Sequence, residues 1–274
     1  MPPKKNAVAK RSKTEVAEYD EMFSGHSGSG LENVGAKDVL IPRLAILQSL
    51  SPQLKKKKAE YIEGAEEGMI CDVGTSLVFP DGVSFLPVYY TKEYLEWAPR
   101  ESDKGLVNIH PTDEILNHCK QDDDGRWVTG DGNYISETAQ FFGLNLSADL
   151  LPCFIPMSST QLKKGRAWLT MAQSERLKEP YGNGQKAPFW FRSYFLTAAE
   201  ESNNKGEWFS WNVARGPVLP ELELDHTWQE IREAAINFGE SLAAGSARGD
   251  ISGMDGGSGG SGGTGNTDSD EGAM

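Results

Sequence analysis

The feature that most constrains this chain is an order of elements: two aromatic-rich hairpin patterns with a helical pattern between them. "TAQFFGLNL" and "LPCFIPM" flank the short turn "SAD", and "FWFRSYFLTA" and "EWFSWNVA" flank "EESNNKG". Aromatic and β-branched runs bounded by turn formers read as strands, and closely spaced pairs of them read as hairpins. Between the two lies "SSTQLKKGRAWLTMAQS". There Ser158 and Gln161 fit a capping box, and Leu162, Leu169 and Ala172 follow a helical stripe. Gly165 weakens that helix by about 1 kcal/mol relative to alanine. Ahead of both hairpins stand "GMICDVGTSLVF", a shorter strand pattern, and the long Val83–Trp97 run "VSFLPVYYTKEYLEW". A last helix, "TWQEIREAAINFGESL", carries a capping box at Thr227 and Glu230. Its stripe of Trp228, Ile231, Ala235, Phe238 and Leu242 predicts packing on the domain.

The order is therefore strand, long insertion, strand, strand, helix, strand, strand. An oligonucleotide-binding (OB) barrel has this order once its first loop is enlarged. The expected fold is mainly β with two helices, an OB-fold barrel over residues 36–245 with an insertion at about 101–137. The insertion and "EESNNKG" then fall on the two loops that such a barrel uses to grip oligonucleotides. "VLIPRLAILQSLSPQ" opens the ordered part, where Pro42 argues against a long helix, and "LKKKK" after it reads as a solvated basic run.

Both ends are polar. Residues 1–35 are poor in aromatics and rich in Lys, Ser and Gly, and read as a disordered basic arm. Residues 246–274 read as a Gly-rich flexible linker with an acidic tip at Asp268, Asp270 and Glu271. Net charge is −13, with +5 on residues 1–13 and −5 on residues 249–274, so the body alone keeps the full −13. An acidic body argues against indiscriminate nucleic-acid binding by bulk charge, though not against a local basic groove. Three widely spaced cysteines, Cys71, Cys119 and Cys153, fit free thiols in a reducing compartment. No run of eighteen apolar residues predicts a membrane span, and no apolar run behind the basic N-terminus predicts a secretory signal. The expected location is the cytoplasm.

Signatures of catalysis are sparse: there is no P-loop, GxSxG, HExxH or CxxC. His110, His118 and Cys119 supply zinc-ligand chemistry but lack a fourth ligand at local spacing, so no metal and no cofactor is expected. Asp122, Asp123 and Asp124 keep a metal-dependent nuclease or recombination enzyme open as the alternative, and a structural protein that uses the same β domain for protein contacts stands as a second one. Aromatic and basic residues point elsewhere. "VYYTKEYLEWAPR" interleaves Tyr89, Tyr90, Lys92, Tyr94, Trp97 and Arg100. In "FWFRSYF", strand alternation places Trp190, Arg192 and Tyr194 outward, with Phe189, Phe191 and Phe195 in the core. Lys163, Lys164 and Arg166 add cations on the helix, with Lys163 and Arg166 on one face. Rings that stack on bases, beside cations that meet phosphates, hold a single strand without reading its sequence.

"IPRLAILQSLSP", "GMI", "FLPVYYTKEYLEWAPR" and "MSSTQLKKGRAWLT" together resemble a family of bacteriophage single-stranded-DNA-binding proteins with an OB fold, over residues 39–215. The resemblance implies non-catalytic coating of single-stranded DNA in phage replication, recombination and repair. It also implies an acidic tail that recruits replication and recombination proteins of phage or host. Some relatives carry a cysteine-rich insertion after the PR motif; here that region holds only Cys119. The expected DNA-binding residues are Tyr90, Tyr94, Trp97, Arg100, Lys163, Lys164, Arg166, Trp190, Arg192 and Tyr194.

Overall fold

The computed structural model describes residues 40–251 apart from positions 103, 204 and 205 and the side chain of Arg100. The expected N-terminal arm, and the tail with Asp268, Asp270 and Glu271, lie outside the described residues. The chain enters through β1 (Leu44–Ile46), which pairs with β2 (Ile70–Asp72), and β2 pairs with β3 (Val78–Phe79). The run "GMICDVGTSLVF" is thus a small hairpin rather than one strand. The lysines of "LKKKK" are exposed, as expected.

The larger sheet is built on β4 (Val83–Trp97). From Phe85 to Trp97 it pairs with β8 (Tyr134–Asn145), and β8 pairs with β9 (Leu151–Ser158). After β9 comes α1 (Leu162–Gln173), then the hairpin of β10 (Arg192–Asn203) and β11 (Gly206–Val218). β10 returns to the first residues of β4, through Tyr194 opposite Phe85. The main ladder therefore runs β11, β10, β4, β8, β9 and curls into a half-barrel. Between β4 and β8 the insertion adds β5 (Leu106–His110) on the edge of β4, then β6 (Lys120–Gln121) and β7 (Trp127–Val128) beside β8. The element order is the one read from the sequence.

No ladder joins β9 to β11 among the described residues; β1 lies in that gap. The Pro42 carbonyl accepts from Phe154 N of β9 at 3.0 Å. At the other side Gln48 clasps the backbone of Phe209 on β11, its Nε2 donating to the carbonyl at 2.8 Å and its Oε1 accepting from the amide at 2.9 Å. Residues expected in the C-terminal linker close the same edge: Ala247 is buried, and Gly249 bridges Ile41.

β4 is apolar almost continuously at its start because both faces are covered. Phe85 points to the α1 side, where Trp168 stacks on Phe141 at 4.2 Å and meets Phe85 and Tyr194 edge-on at 5.8 and 5.5 Å. Leu86 points the other way, to a second cluster with Leu144, Leu219, Ile231 and Ala235 under α2 (Trp228–Ala243). Two glycines let these layers close. A Cβ on Gly143 would lie 2.2 Å from the Leu86 carbonyl oxygen, beside the bulge between Pro87 and Tyr89. One on Gly165 would press Phe141 and Met157 at 3.2 Å, so the glycine that weakens α1 as a helix lets it approach the core.

Two local expectations are corrected. Ser158 and Gln161 form no capping box: α1 begins after a 3-10 turn, and the Gln161 amide oxygen accepts from Trp211 N of β11 instead. On α2 the Thr227–Glu230 box is present in both directions, and Ile231, Ala235 and Leu242 are buried, but Trp228 at the head of the stripe is exposed.

Candidate nucleic-acid interface

In a chain of net charge −13, helix α1 contains Lys163, Lys164 and Arg166 and no carboxylate at all. Its outer face carries Lys163, Arg166, Ala167, Thr170 and Gln173, all exposed and at helical spacing. Lys163 makes no ion pair with another described residue. Two elements bring partners to the start of this face. From β4 come Tyr90, half-buried with its ring 5.2 Å from Phe141, and Lys92, whose Nζ lies 5.5 Å above the Tyr94 ring. From β8 comes Glu137, 3.6 Å from both Lys92 Nζ and Arg166 Nη2. On the other flank Lys164 Nζ meets Glu201 of β10 at 2.6 Å.

The electrostatics follow from these contacts. Burial holds the Tyr90 hydroxyl above its ordinary pKa against the pull of Lys92, so the ring stays neutral. The hydrogen bond with Tyr94 holds Lys92 above its usual value, with Glu137 adding to it. The Lys164 hydrogen bond lowers the Glu201 carboxyl. Exposed ion pairs of this kind contribute only about 0–1 kcal/mol. Their cations can therefore turn to another anion at small cost. The face offers a partly exposed ring, cations on both sides and a polar, acid-free helix surface leading away.

Of the residues expected to bind, Tyr90, Lys163, Lys164 and Arg166 converge here. Tyr94 reaches the site only as the ring beneath Lys92, being itself buried. Trp97 is buried under the insertion, opposite Tyr134 and Leu106. The outward face assigned to Trp190, Arg192 and Tyr194 is corrected. Phe189–Phe191 is a 3-10 turn, and β10 starts with an irregularity between Arg192 and Tyr194, which shifts the alternation. Tyr194 is 1% exposed against Trp168, whereas Phe195, expected in the core, is 44% exposed. Trp190 packs in the cluster under α2, with the Arg232 guanidinium 5.8 Å from its ring. Arg192 is a structural cation: Nη1 donates to the Gly216 carbonyl at 2.6 Å and Nη2 to Glu175 at 2.9 Å. The Arg100 side chain lies outside the described residues. The carboxylates Glu137 and Glu201 were missed by sequence reading. The available signal was strand register, which sets Glu137 opposite Tyr94.

The insertion uses its polar residues internally. Glu96 Oε1 accepts from Asn133 Nδ2 at 2.7 Å, and Oε2 lies 2.8 Å from His110 Nε2. Burial raises the Glu96 pKa, but these hydrogen bonds outweigh it and leave the carboxyl below its ordinary value. The Cys119 thiol donates to the Ile115 carbonyl. Asp122 accepts from the amides of Asp124 and Arg126 and from Arg126 Nε, closing a tight turn. Among the described residues no group of three or more His, Cys, Asp or Glu is placed to hold a metal ion. No helix among them is long and apolar enough to cross a membrane.

A family model described as Pam3 phage gp34-like protein matches residues 9–248. The comparisons with curated proteins and with solved structures each found no match.

Proposed function

We propose, from the premise that this chain belongs to the Pam3 phage gp34-like protein family, that it binds single-stranded DNA without sequence preference and without catalysis. The observation that carries this reading is the acid-free face of α1 beside the half-exposed Tyr90. A base stacks on Tyr90, and phosphates replace Glu137 and Glu201 as partners of Lys92, Arg166 and Lys164. Backbone phosphates and a ring carry no base-specific donors, so binding is sequence-tolerant. In this reading the half-barrel is an OB barrel. β4, β8, β9, α1, β10 and β11 come in OB order, and β1 fills the seam between the third and fifth strands.

The role that follows is coating and protection of single strands during phage DNA replication, recombination and repair in the host cytoplasm. The acidic tip at Asp268, Asp270 and Glu271 then recruits partner enzymes. A second reading, a structural phage protein that uses the same face for protein contacts, is favoured by the two carboxylates that already neutralise it.

Fluorescence anisotropy of a labelled oligothymidylate tests the proposal. The wild-type protein binds it, and Tyr90→Ala loses about 1–3 kcal/mol of affinity with its fold intact. Added Mg²⁺ leaves the strand whole. Cleavage would favour the nuclease, and absence of binding would favour the structural protein.

A further inference from the structure

Past the end of α1 the chain turns back in a hairpin, residues 174–187, closed by an antiparallel bridge between Arg176 and Lys186. Hydrogen bonds from Leu177 N to the Gln185 carbonyl and from Ala187 N to the Glu175 carbonyl fix it at 2.9 and 3.1 Å. Like charges set directly opposite each other in an antiparallel pair repel. Lys178, two residues on from Arg176, is exposed as well. No ion pair joins Arg176, Lys178 or Lys186 to another described residue. Arg215 of β11 arrives at the same place, with Nη2 donating to the Met171 carbonyl at 3.2 Å and to Ser174 Oγ at 2.9 Å.

The carboxylates nearby offset this charge only in part. Glu175 is occupied by Arg192 at 2.9 Å and Arg215 at 3.6 Å. Glu221 accepts from the Tyr181 hydroxyl at 3.1 Å. Glu179 is exposed in the loop. Cations at a helix C-terminus complement its dipole, which accounts for Arg176 and Arg215, since both donate to terminal carbonyls of α1 or its cap. It does not account for Lys178 and Lys186, which make no such bond.

We infer that this hairpin is a second phosphate-binding patch, and that a single strand seated at Tyr90 and Arg166 runs along the outer face of α1 to reach it. The inference rests on the reading proposed above. The face between the two patches, through Ala167, Thr170 and Gln173, carries no carboxylate. A helix of 12 residues is about 18 Å long at about 1.5 Å per residue. That spans about five nucleotides at a stacked spacing of about 3.4 Å, within the range that one OB domain covers. Tyr181, exposed and edge-on to Phe191 at 5.8 Å, offers a ring for a base at the far end.

The test compares labelled oligothymidylates of about four and about twelve nucleotides on the wild-type chain and on an Arg176→Ala/Lys186→Ala double variant. Both side chains are exposed, and losing the Arg176 bond to the Gln173 carbonyl should lower the unfolding temperature only slightly, so the double variant should stay folded under the binding conditions. It should bind the short strand as the wild type does and lose about tenfold on the long one. Its log–log salt slope on the long strand should be shallower by about 1.4, at about 0.7 for each lost contact. An Arg176→Lys/Lys186→Arg variant should keep both properties. Unchanged affinity and slope on the long strand would overturn the second patch and leave the first site standing. Equal losses on both lengths would overturn the path along α1. A wild-type chain that binds neither strand removes the inference together with the reading beneath it.

Discussion

Trp168 fills the hollow of the half-barrel, stacked on Phe141 and met edge-on by Phe85 and Tyr194, with no exposed surface of its own. Trp168→Ala should therefore cost about 3–5 kcal/mol of stability, read from the shift of a urea unfolding midpoint. A loss under about 1 kcal/mol would show that the strands close without it. The sequence pattern pointed to Leu162, Leu169 and Ala172 as the helix stripe. A tryptophan surrounded by lysines and arginine gives no sign of which way it turns, and it proved to be the centre of the core. Glu175 is one residue whose charge state reports on the fold. Chiefly through the hydrogen bond from Arg192, its carboxyl is held below the ordinary range. The folded pKa lies below the unfolded value of about 4.3. The stability it contributes is thus full above that value and is lost as pH falls through the folded pKa. Melting temperatures measured from pH 7 downward should fall less steeply for Glu175→Gln than for the wild type in that acid range. Parallel profiles would remove Glu175 from the account.

Elements were easier to read than faces. Gly, Asn, Asp and Ser punctuate the strands, so the order of β4, β8, β9, α1, β10 and β11 was legible. Which side of β10 faces inward was not. The 3-10 turn at Phe189–Phe191 and the irregularity after Arg192 shift the two-residue period, exchanging Tyr194 with Phe195. β1 was illegible as a seam for a different reason: three residues, "LAI", carry too little alternation to assign a partner. The two capping signatures separate in the same way. Thr227 accepts from Glu230 N, and Glu230 in turn accepts from Thr227 N at 2.7 Å, whereas Ser158 makes no side-chain cap bond. Thr227→Ala should lose about 1 kcal/mol of stability, and Ser158→Ala should stay within about 0.5 kcal/mol of the wild type. Equal losses in chemical denaturation would mean that the cap on α2 contributes nothing special.

For the whole molecule the charge distribution is decisive. A body of net charge −13 repels a polyanion at long range, so any binding must come from a local face where Lys92, Lys163, Lys164 and Arg166 outnumber Glu137 and Glu201. Sequence reading found Lys163, Lys164 and Arg166 of that face because they sit within four residues of each other on one helix, and left Lys92 of β4 out of the binding residues. It missed Glu137 and Glu201, since they arrive from β8 and β10 through tertiary register alone. Repulsion from the body and attraction at the face are screened differently. The body acts across many ångströms and fades within a Debye length of about 10 Å at 0.1 M salt, while close phosphate contacts release condensed counterions one by one. The salt dependence of affinity therefore tests the central claim most directly. Anisotropy titrations of a labelled oligothymidylate of about four nucleotides at increasing salt should give affinity falling with a log–log slope of about −2, from about three phosphate contacts at about 0.7 each. No binding at low salt, or binding with a slope near zero, would contradict the claim that the α1 face holds a single strand by its phosphates.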